Sequence, residues 1–267
     1  MEIYIPSRGR SDSLWTWHEL PERWKRRTFI VCHESEADQY RRSLPRAFIS
    51  PCPIHGIHNV RQWICDNAHS DFVFMLDDDM RFAQRADDWE KRKIYKPQLS
   101  DPEEIGKIFD LMENWLEIEG FAHVGIGMRQ MNVGIENRWW REAARMNNAY
   151  GYNLKILREE GIRWDRLEVM EDFDVTLELL KRGYPNRITV DYVWNQRGSG
   201  LAGGCSSYRN NEMQERCARR LVELHAPFVQ LVVKEKTDSS KWIGMQSRHD
   251  VRISWRKAFP GVVDDSH

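Results

Sequence analysis

The sequence has few cysteines and no paired cysteine motif. Its five cysteines, Cys32, Cys52, Cys65, Cys205 and Cys217, are odd in number, scattered, and never spaced as Cys-x-x-Cys. This pattern excludes a zinc ribbon and favours a reduced, intracellular protein, which we expect to be cytoplasmic.

A long apolar run, a signal-peptide pattern and a strong net charge are also absent. No apolar run approaches the length of a membrane span, so we expect no membrane partner. The formal net charge of −1 gives no overall attraction to nucleic acid, so such a partner needs a local basic patch. With 267 residues, 41% of them hydrophobic, the chain can form one sizeable core or two modest ones.

The segment of residues 71–80 is an apolar run that ends abruptly in three carboxylates. Phe72–Leu76 predicts a strand buried on both faces. Asp77, Asp78 and Asp79 follow directly, and three adjacent acids repel one another unless cations neutralise them. Ligands of open α/β sheets sit outside the carboxyl ends of strands, so this position suits Mg²⁺ or Mn²⁺ bridging to a substrate phosphate. A solvated acidic turn is the alternative.

The first third of the chain alternates between strand and helix patterns. Residues 2–6, 28–32 and 47–49 predict strands, and Pro51 is expected to end the third. Helical patterns lie between them and over residues 57–68. This alternation predicts a parallel sheet with right-handed crossovers.

The rest of the chain continues the pattern with two irregular stretches. Residues 81–100 are highly charged and aperiodic, which predicts a mobile surface excursion, and residues 129–146 predict an irregular loop. Helices are predicted over residues 101–119, 171–183 and 211–225, and strands over residues 122–128, 188–194 and 228–233. Residues 147–161 predict a strand edge followed by a helix.

Two segments are candidate nucleotide-binding sites. Ser7, Arg8 and Arg10 form a Gly-containing loop after the first strand, which can cradle a phosphate. Asn59 and Arg61 lie near the N-terminal end of a predicted helix, where free N–H groups and a partial positive charge suit a nucleotide. Solvated surface charges are the alternative in both places.

Two acids, Glu171 and Asp172, occupy the first turn of the helix that ends at Gly183. Acids at a helix start have an ordinary structural use, since they interact favourably with the helix dipole. The functional alternative is a general base held rigidly over a reaction centre.

A Gly/Ser-rich segment, residues 195–209, exposes backbone N–H groups and carries two arginines. It is either a disordered connection or a lid that closes on a diphosphate. The hydrogen-bond donors of such a lid are Ser206, Ser207, Tyr208 and Arg209.

The C-terminal tail interleaves basic and aromatic residues. This mixture suits contact with nucleic-acid phosphates and bases, and a solvated terminal strand is the alternative. The candidate contacts are Lys241, Trp242, Arg248 and Arg252.

Together these segments resemble a nucleotide-sugar glycosyltransferase of the GT-A fold. The resemblance covers residues 1–195 and rests on Ile3-Tyr-Ile-Pro-Ser-Arg8, Asn59-Val-Arg61, Leu76-Asp-Asp-Asp79 as an Asp-x-Asp motif, and Met170-Glu-Asp-Phe-Asp174 followed by Leu179-Leu-Lys-Arg-Gly-Tyr184. Three shorter motifs are similar to the TET-associated glycosyltransferases, which are largely phage-encoded and act on hydroxymethylated pyrimidines in DNA: Ile5-Pro-Ser-Arg-Gly-Arg10, Gly204-Cys-Ser-Ser-Tyr-Arg209 and Val251-Arg-Ile-Ser-Trp-Arg-Lys257.

The resemblance implies a fold and a role for each matched residue. The fold is a Rossmann-like, mixed but mostly parallel sheet flanked by helices. Asp79 would bind a divalent metal directly, and Asp77 would contact the ribose or a metal-bound water. Asp172 would deprotonate the acceptor hydroxyl, with Glu171 positioning it, in an inverting transfer from a UDP-sugar. Pro6 and Asp78 join the nucleotide-sugar contacts.

The third metal ligand departs from the family pattern. Many GT-A enzymes use a C-terminal histidine, whereas the matching position holds Trp194-Asn195-Gln196. Asn195 or Gln196 would take its place, and His225 is a second candidate.

The acceptor and the domain division remain open at this point. We expect a catalytic domain over residues 1–210, with a nucleotide-sugar half near residues 1–80, an acceptor half near residues 120–195 and a flexible loop at 195–210. Residues 211–267 would form an extension packed on it. The acceptor is a hydroxymethylated DNA base, which must be flipped out of a duplex, or a glycan or protein. A non-catalytic nucleotide-sugar-binding module is the third possibility.

Overall fold

A mixed sheet is the centre of the computed structural model, which describes residues 1–85, 98–129, 139–196, 210–235 and 247–260. Within these residues the sheet has nine strands in the order β3-β2-β1-β4-β8-β6-β9-β5, with β7 also paired to β9. The strands are β1 (Glu2–Pro6), β2 (Thr28–His33), β3 (Phe48–Cys52), β4 (Phe72–Leu76), β5 (Met80–Gln84), β6 (His123–Met128), β7 (Trp140–Glu142), β8 (Ala149–Asn153) and β9 (Asn186–Gln196).

The first four strands are parallel, as the strand–helix alternation predicts. β1 pairs in parallel with both β2 and β4, and β2 pairs in parallel with β3. β8 is antiparallel to β4 and to β6, and β9 is parallel to β6, so β6 and β9 run in the same direction as β1 to β4. Six of the nine described strands of this sheet therefore share one direction, and the sheet is mostly parallel.

The order of the strands creates a crevice at one point of the sheet edge. The chain runs outward from β1 to β2 and β3, then returns to β4 on the other side of β1. Such a reversal leaves a crevice outside the carboxyl ends of the two flanking strands, where ligands bind. Ser7 follows β1 and Asp77 follows β4 at this position.

Helices cover both faces because the strands are apolar on both faces. Alternate residues of β1 and β4 belong to different cores: Ile3 and Phe74 pack in one cluster, Tyr4 and Val73 in the other. Burying each such side chain contributes roughly 1.5–3 kcal/mol. The flanking helices are α1 (Trp15–Glu19), α2 (Glu22–Lys25), α3 (Ala37–Ser43), α4 (Ile57–Asn67), α5 (Pro102–Glu113) with a π-turn at Asn114–Ile118, α6 (Leu154–Glu159) and α7 (Glu171–Lys181).

The prediction of a mobile excursion from residue 81 is wrong for its first residues. β5 pairs antiparallel with β9, with Met80 opposite Gln196 and Gln84 opposite Tyr192. Phe82 is fully buried in the core. The charged residues around it hide the pattern, and its partner strand lies more than a hundred residues further along the chain.

Three smaller corrections concern other strands. β3 continues through Pro51 to Cys52 because it is an edge strand, where a missing N–H disturbs no neighbour. The strand edge predicted within residues 147–161 is a complete strand, β8, in the interior of the sheet. The predicted irregular loop at residues 129–146 includes the short strand β7.

The C-terminal part packs against α7. It consists of α8 (Asn211–His225), the antiparallel strands β10 (Val229–Glu235) and β11 (Ser247–Ile253), and α9 (Trp255–Ala258). A third apolar cluster joins Leu177 and Leu180 of α7 to Leu221 of α8 and Val229 of β10. Among the described helices, none combines the length and apolar character needed to cross a bilayer.

Candidate functional site

The three aspartates form a tight turn that α1 holds in place. The Thr16 hydroxyl donates to the backbone carbonyl of Asp77 at 2.5 Å and accepts from the backbone N–H of Met80 at 2.8 Å. The backbone N–H of Thr16 also donates to the Asp78 carbonyl at 3.2 Å. Thr16 therefore fixes the backbone of the turn between β4 and β5 that carries the three carboxylates.

The loop after β1 bonds to two of these carboxylates. Ser7 Oγ donates to Asp78 Oδ2 at 2.6 Å, and Arg10 Nη1 donates to Asp78 Oδ1 at 2.6 Å and to Asp79 Oδ2 at 3.2 Å. The Tyr40 hydroxyl lies 2.8 Å from Ser7 Oγ. Ser7 and Arg10, both expected to contact a nucleotide, thus have side chains that organise the aspartate turn.

Arg61 connects the aspartates to the acidic start of α7. Its Nη2 donates to Asp77 Oδ1 at 3.1 Å, and its Nη1 donates to Glu171 Oε1. Arg61 also lies over the rings of Tyr150 and Trp164, at 5.2 and 5.6 Å from their centroids. The two acidic segments that the sequence singles out therefore line one cleft.

Burial changes the acidity of the carboxyl groups in this cleft. It raises the pKa of Asp77 to about 6, with Arg61 opposing the rise and the charges of Asp79 and Asp78 adding to it. It raises the pKa of Glu171 to about 7, against the effect of Arg61 and with a further contribution from Asp172. Burial also raises the pKa of Asp172, opposed by Arg61 and Arg145. A carboxyl group with a raised pKa is a stronger base once ionised, which suits proton abstraction.

Asn148 is a site residue that the sequence analysis missed. Its Nδ2 donates to Asp77 Oδ2 and, at 2.9 Å, to Gln196 Oε1, and its φ of 65° lies in the left-handed region. Asparagine tolerates this conformation better than most residues. The only signal in the sequence was the pair Asn147-Asn148 beside a strand, which is too common to indicate a site.

The end of β9 reaches the site through Gln196 rather than Asn195. Gln196 accepts from Asn148, which in turn bonds Asp77. Successive residues of a strand point to opposite faces, so the side chain of Asn195 lies on the other face of β9 from that of Gln196.

His225 lies in a different cluster, at the end of α8. Its Nε2 is 2.6 Å from Asp174 Oδ1, and its Nδ1 is 3.2 Å from Lys181 Nζ. Ligand atoms of Asp174, Glu178 and His225 lie within 4.8 Å of one another. Lys181 and the arginines at 166 and 182 already pair with these carboxylates, so their burial is compensated without a metal ion.

The remaining candidates fall into three groups. Arg8 is exposed, Pro6 and Asn59 are partly exposed, and Asn59 Nδ2 donates to the His55 carbonyl at 3.0 Å. On β11, Arg252 is exposed and Arg248 Nη2 donates to Asp250 Oδ2 at 2.9 Å. Outside the described residues lie Ser206, Ser207, Tyr208, Arg209, Lys241 and Trp242.

The donor set of the cleft fits a divalent cation. Three aspartates and Glu171 meet the guanidiniums of Arg10 and Arg61 among the contacts of the described residues. The carboxylates therefore outnumber these cations, and their mutual repulsion contributes to the raised pKa of Asp77. Carboxylate oxygens are the ligands that Mg²⁺ and Mn²⁺ prefer.

Comparison with solved structures identifies the fold. Glucosyl-3-phosphoglycerate synthase from Mycobacterium tuberculosis, in complex with Mg²⁺ and UDP, superposes with a TM-score of 0.54 at 10% identity, over 94% of this chain and 86% of that one. A mannosyltransferase from Pyrobaculum calidifontis, in complex with GDP-Man and Mn²⁺, gives 0.53 at 12% identity, over 84% of this chain and 62% of that longer one. The GT-A fold implied by the resemblance is confirmed.

Comparison with curated sequences identifies the relatives. The beta-glucosyl-HMC-alpha-glucosyl-transferases of Enterobacteria phages T6 and T2 are each 25% identical over 235 residues, which is 83% of this chain and 80% of theirs. Residues 1–204 match the TET-Associated Glycosyltransferase family. Since this match spans well over half of the chain, the protein is a glycosyltransferase that belongs to the TET-associated glycosyltransferase family.

Proposed function

We propose that this glycosyltransferase moves a sugar from a UDP-sugar to a hydroxyl group on a hydroxymethylated pyrimidine of DNA, with the help of a divalent cation. The observation that carries the proposal is the cleft in which Arg61 bonds both Asp77 and Glu171. It brings a candidate donor site and a candidate base together, as a transfer reaction requires.

The donor binds at the crevice between β1 and β4. Asp79 and Asp77 would hold the cation, which would neutralise the charge that develops on the departing diphosphate. Pro6 ends β1 and Arg8 follows it, next to the crevice, and Asn59 lies near the start of α4; these residues are the candidate contacts of the nucleotide. Thr16, Arg10 and Ser7 hold the aspartate turn in place for this purpose.

The acceptor is activated from the first turn of α7. Asp172 removes the proton of the acceptor hydroxyl, and the resulting oxygen attacks the anomeric carbon while the bond from that carbon to the diphosphate breaks. UDP leaves with the bonding electron pair. Glu171, bonded to Arg61, orients the turn that carries Asp172. A general base of this kind contributes roughly 10²–10⁴-fold to the rate.

A local basic patch can meet the DNA, although the overall charge does not favour it. Trp255 of α9 packs edge-on against Phe173, which follows Asp172, with ring centroids 5.5 Å apart. Arg256 on the same helix is exposed. Burial, followed by the charges of Arg256 and Arg85, lowers the pKa of Arg141, so each of these two arginines lies near Arg141, although Arg85 itself is buried. Closely spaced arginines suit phosphate contacts.

A second acceptor is favoured by the names of the phage relatives. Those enzymes are named for transfer to beta-glucosyl-HMC, in which the base already carries a sugar. The receiving hydroxyl of this enzyme would then belong to a glucose on the base rather than to the hydroxymethyl group. Both acceptors place the reactive hydroxyl on a modified pyrimidine.

The test uses three DNA duplexes of one sequence, which contain cytosine, 5-hydroxymethylcytosine or its β-glucosylated form. Each is incubated with the enzyme, Mn²⁺ and a panel of labelled UDP-sugars. Label in the hydroxymethylated duplex supports the first acceptor, and label in the glucosylated duplex alone supports the second. Equal labelling of the unmodified duplex, or labelling of glycans or proteins alone, would contradict the proposal.

The linkage formed tests the role of Asp172 separately. Single displacement inverts the anomeric carbon, so a donor with an α-linked sugar yields a β-linked product. The phage relatives are named for α-glucosyl transfer. We expect a β linkage by NMR of the digested nucleoside, and an α linkage would show that Asp172 does not act as the base of a single displacement.

A further inference from the structure

The guanidinium of Arg61 is shared between two carboxylates from distant parts of the chain. Nη1 donates to Glu171, 110 positions away, and Nη2 donates to Asp77, 16 positions away. Arg61 is only 6% exposed, and its Nε has no hydrogen-bond partner among the described residues. One planar group thus joins the start of α7 to the end of β4.

Packing fixes the orientation of this group. The rings of Tyr150 on β8 and Trp164, a few residues before α7, face the guanidinium at 5.2 and 5.6 Å. A guanidinium stacked on aromatic rings is held in its plane, so the N–H groups of Nη1 and Nη2 point in set directions. A lysine has a single ammonium group on a flexible chain and cannot reproduce this fork.

A nucleotide-binding role, which the sequence suggested for Arg61, conflicts with these contacts. Nη1 and Nη2 of Arg61 each already donate to a carboxylate, and the residue is only 6% exposed, so little of its guanidinium is accessible to a nucleotide. Glu171 is 5% exposed, and a buried carboxylate left without its cation is strongly unfavourable. The contacts of Arg61 therefore suit alignment of protein groups better than recognition of a ligand.

We propose that Arg61 is a positioning residue that acts through Glu171, aligning the first turn of α7, and with it Asp172, against the donor held near Asp77. The inference rests on the proposed function, because it assigns Asp172 and Asp77 to the two sides of one transfer reaction. It adds a residue whose effect appears in the chemical step and not in donor affinity.

The first experiment compares Arg61→Lys with the matched control Arg187→Lys. Arg187 also stacks on aromatic rings, at 4.2 Å from Phe121 and 4.4 Å from Trp140, and it donates to Glu142 at 2.9 Å. It lies at the start of β9, whereas Gln196 at the site lies at its end. Arg187→Lys therefore shows how much kcat and UDP affinity change when a stacked, paired arginine away from the site is replaced.

The expected result separates chemistry from binding. Arg61→Lys should lower kcat about 10- to 100-fold, the loss expected when one charge-assisted hydrogen bond is missing in the transition state. KM for the UDP-sugar, and UDP affinity measured by calorimetry without acceptor, should change less than about threefold. Arg187→Lys should leave kcat within about twofold. A large loss of UDP affinity in Arg61→Lys with kcat preserved would overturn the inference in favour of a nucleotide contact.

The second experiment tests whether Arg61 acts through Glu171. In the Glu171→Ala background, which lacks the acceptor of the Arg61 Nη1 hydrogen bond, adding Arg61→Lys should change kcat less than about threefold, because the effect of the arginine is already lost. An undiminished effect in that background would overturn the inference. If Arg61→Lys does not fold, Glu171→Ala alone must lower kcat at unchanged UDP affinity. A wild-type enzyme that transfers no sugar would refute the proposed function instead, which keeps the two failures distinct.

Discussion

Replacing Glu171 with glutamine should stabilise the protein above pH 7, although it should impair catalysis. Burial raises the pKa of Glu171 from an ordinary value of 4.5 to about 7. Between these values the folded protein binds more protons than the unfolded chain, so its stability falls as the pH rises through this window. Glutamine mimics the neutral acid, can still accept a hydrogen bond from Arg61, and does not ionise.

The magnitude follows from the size of the shift. Raising the pKa from 4.5 to about 7 corresponds to at most about 3 kcal/mol above pH 7, at 1.36 kcal/mol per pH unit. Because Asp172 competes for the same proton, we expect the stability difference between Glu171→Gln and wild type to grow by ~1–3 kcal/mol from pH 5 to pH 8. For a chain of this size, each kcal/mol of unfolding free energy shifts Tm by roughly 2–4 °C.

The control is the same substitution on the same helix at Glu178. Burial alone would raise the pKa of Glu178, but the hydrogen bond from Arg182 and the charges of Lys181 and Arg166 outweigh it and lower the pKa to about 2. The ionised Glu178 carboxylate therefore stabilises the folded protein fully above pH 4.5, and this stabilisation is lost only as the pH falls through 2. Glu178→Gln should therefore destabilise by a similar amount at pH 5 and at pH 8. Urea unfolding at pH 5 and pH 8 measures the unfolding free energy of both variants and of wild type. If the stability difference between Glu171→Gln and wild type does not grow with pH, the reasoning is refuted.

The remaining predictions concern the donor and the base. Asp172→Asn should lower transfer at least about 100-fold while UDP affinity stays within about twofold, as measured by product formation and calorimetry; full turnover would exclude the assigned role. Asp79→Ala should abolish the gain in UDP affinity that Mn²⁺ produces, and a preserved gain would place the cation elsewhere.

The sequence predicted those helices and strands whose own residues show a clear hydrophobic pattern and clear end signals. β1, β2 and β4 are short apolar runs next to turn residues, and α7 has an apolar face, acids at its start and Gly183 at its end. β5 was missed because Arg81 and Arg85 flank Phe82, and its strand character depends on pairing with β9. The central place of β8 likewise depends on β4 and β6, which no local pattern specifies.

The candidate site was predictable where charge is concentrated in the sequence. Three consecutive aspartates and the pair Glu171-Asp172 are conspicuous, and the cleft brings them together. Asn148 and Thr16 were missed because single polar residues carry no such signal. Arg61 was noticed, but its partners could not be read from helix position, since Glu171 is 110 positions away.

The most direct test is a crystal structure of the enzyme with UDP and Mn²⁺ bound. We predict that the diphosphate and the cation lie beside Asp77 and Asp79, that Arg61 keeps its bonds to Asp77 and Glu171, and that Asp172 faces the position where the sugar would be attached. A nucleotide bound at another place on the molecule, or one whose diphosphate lies on the opposite side of the sheet from Asp172, would contradict the account.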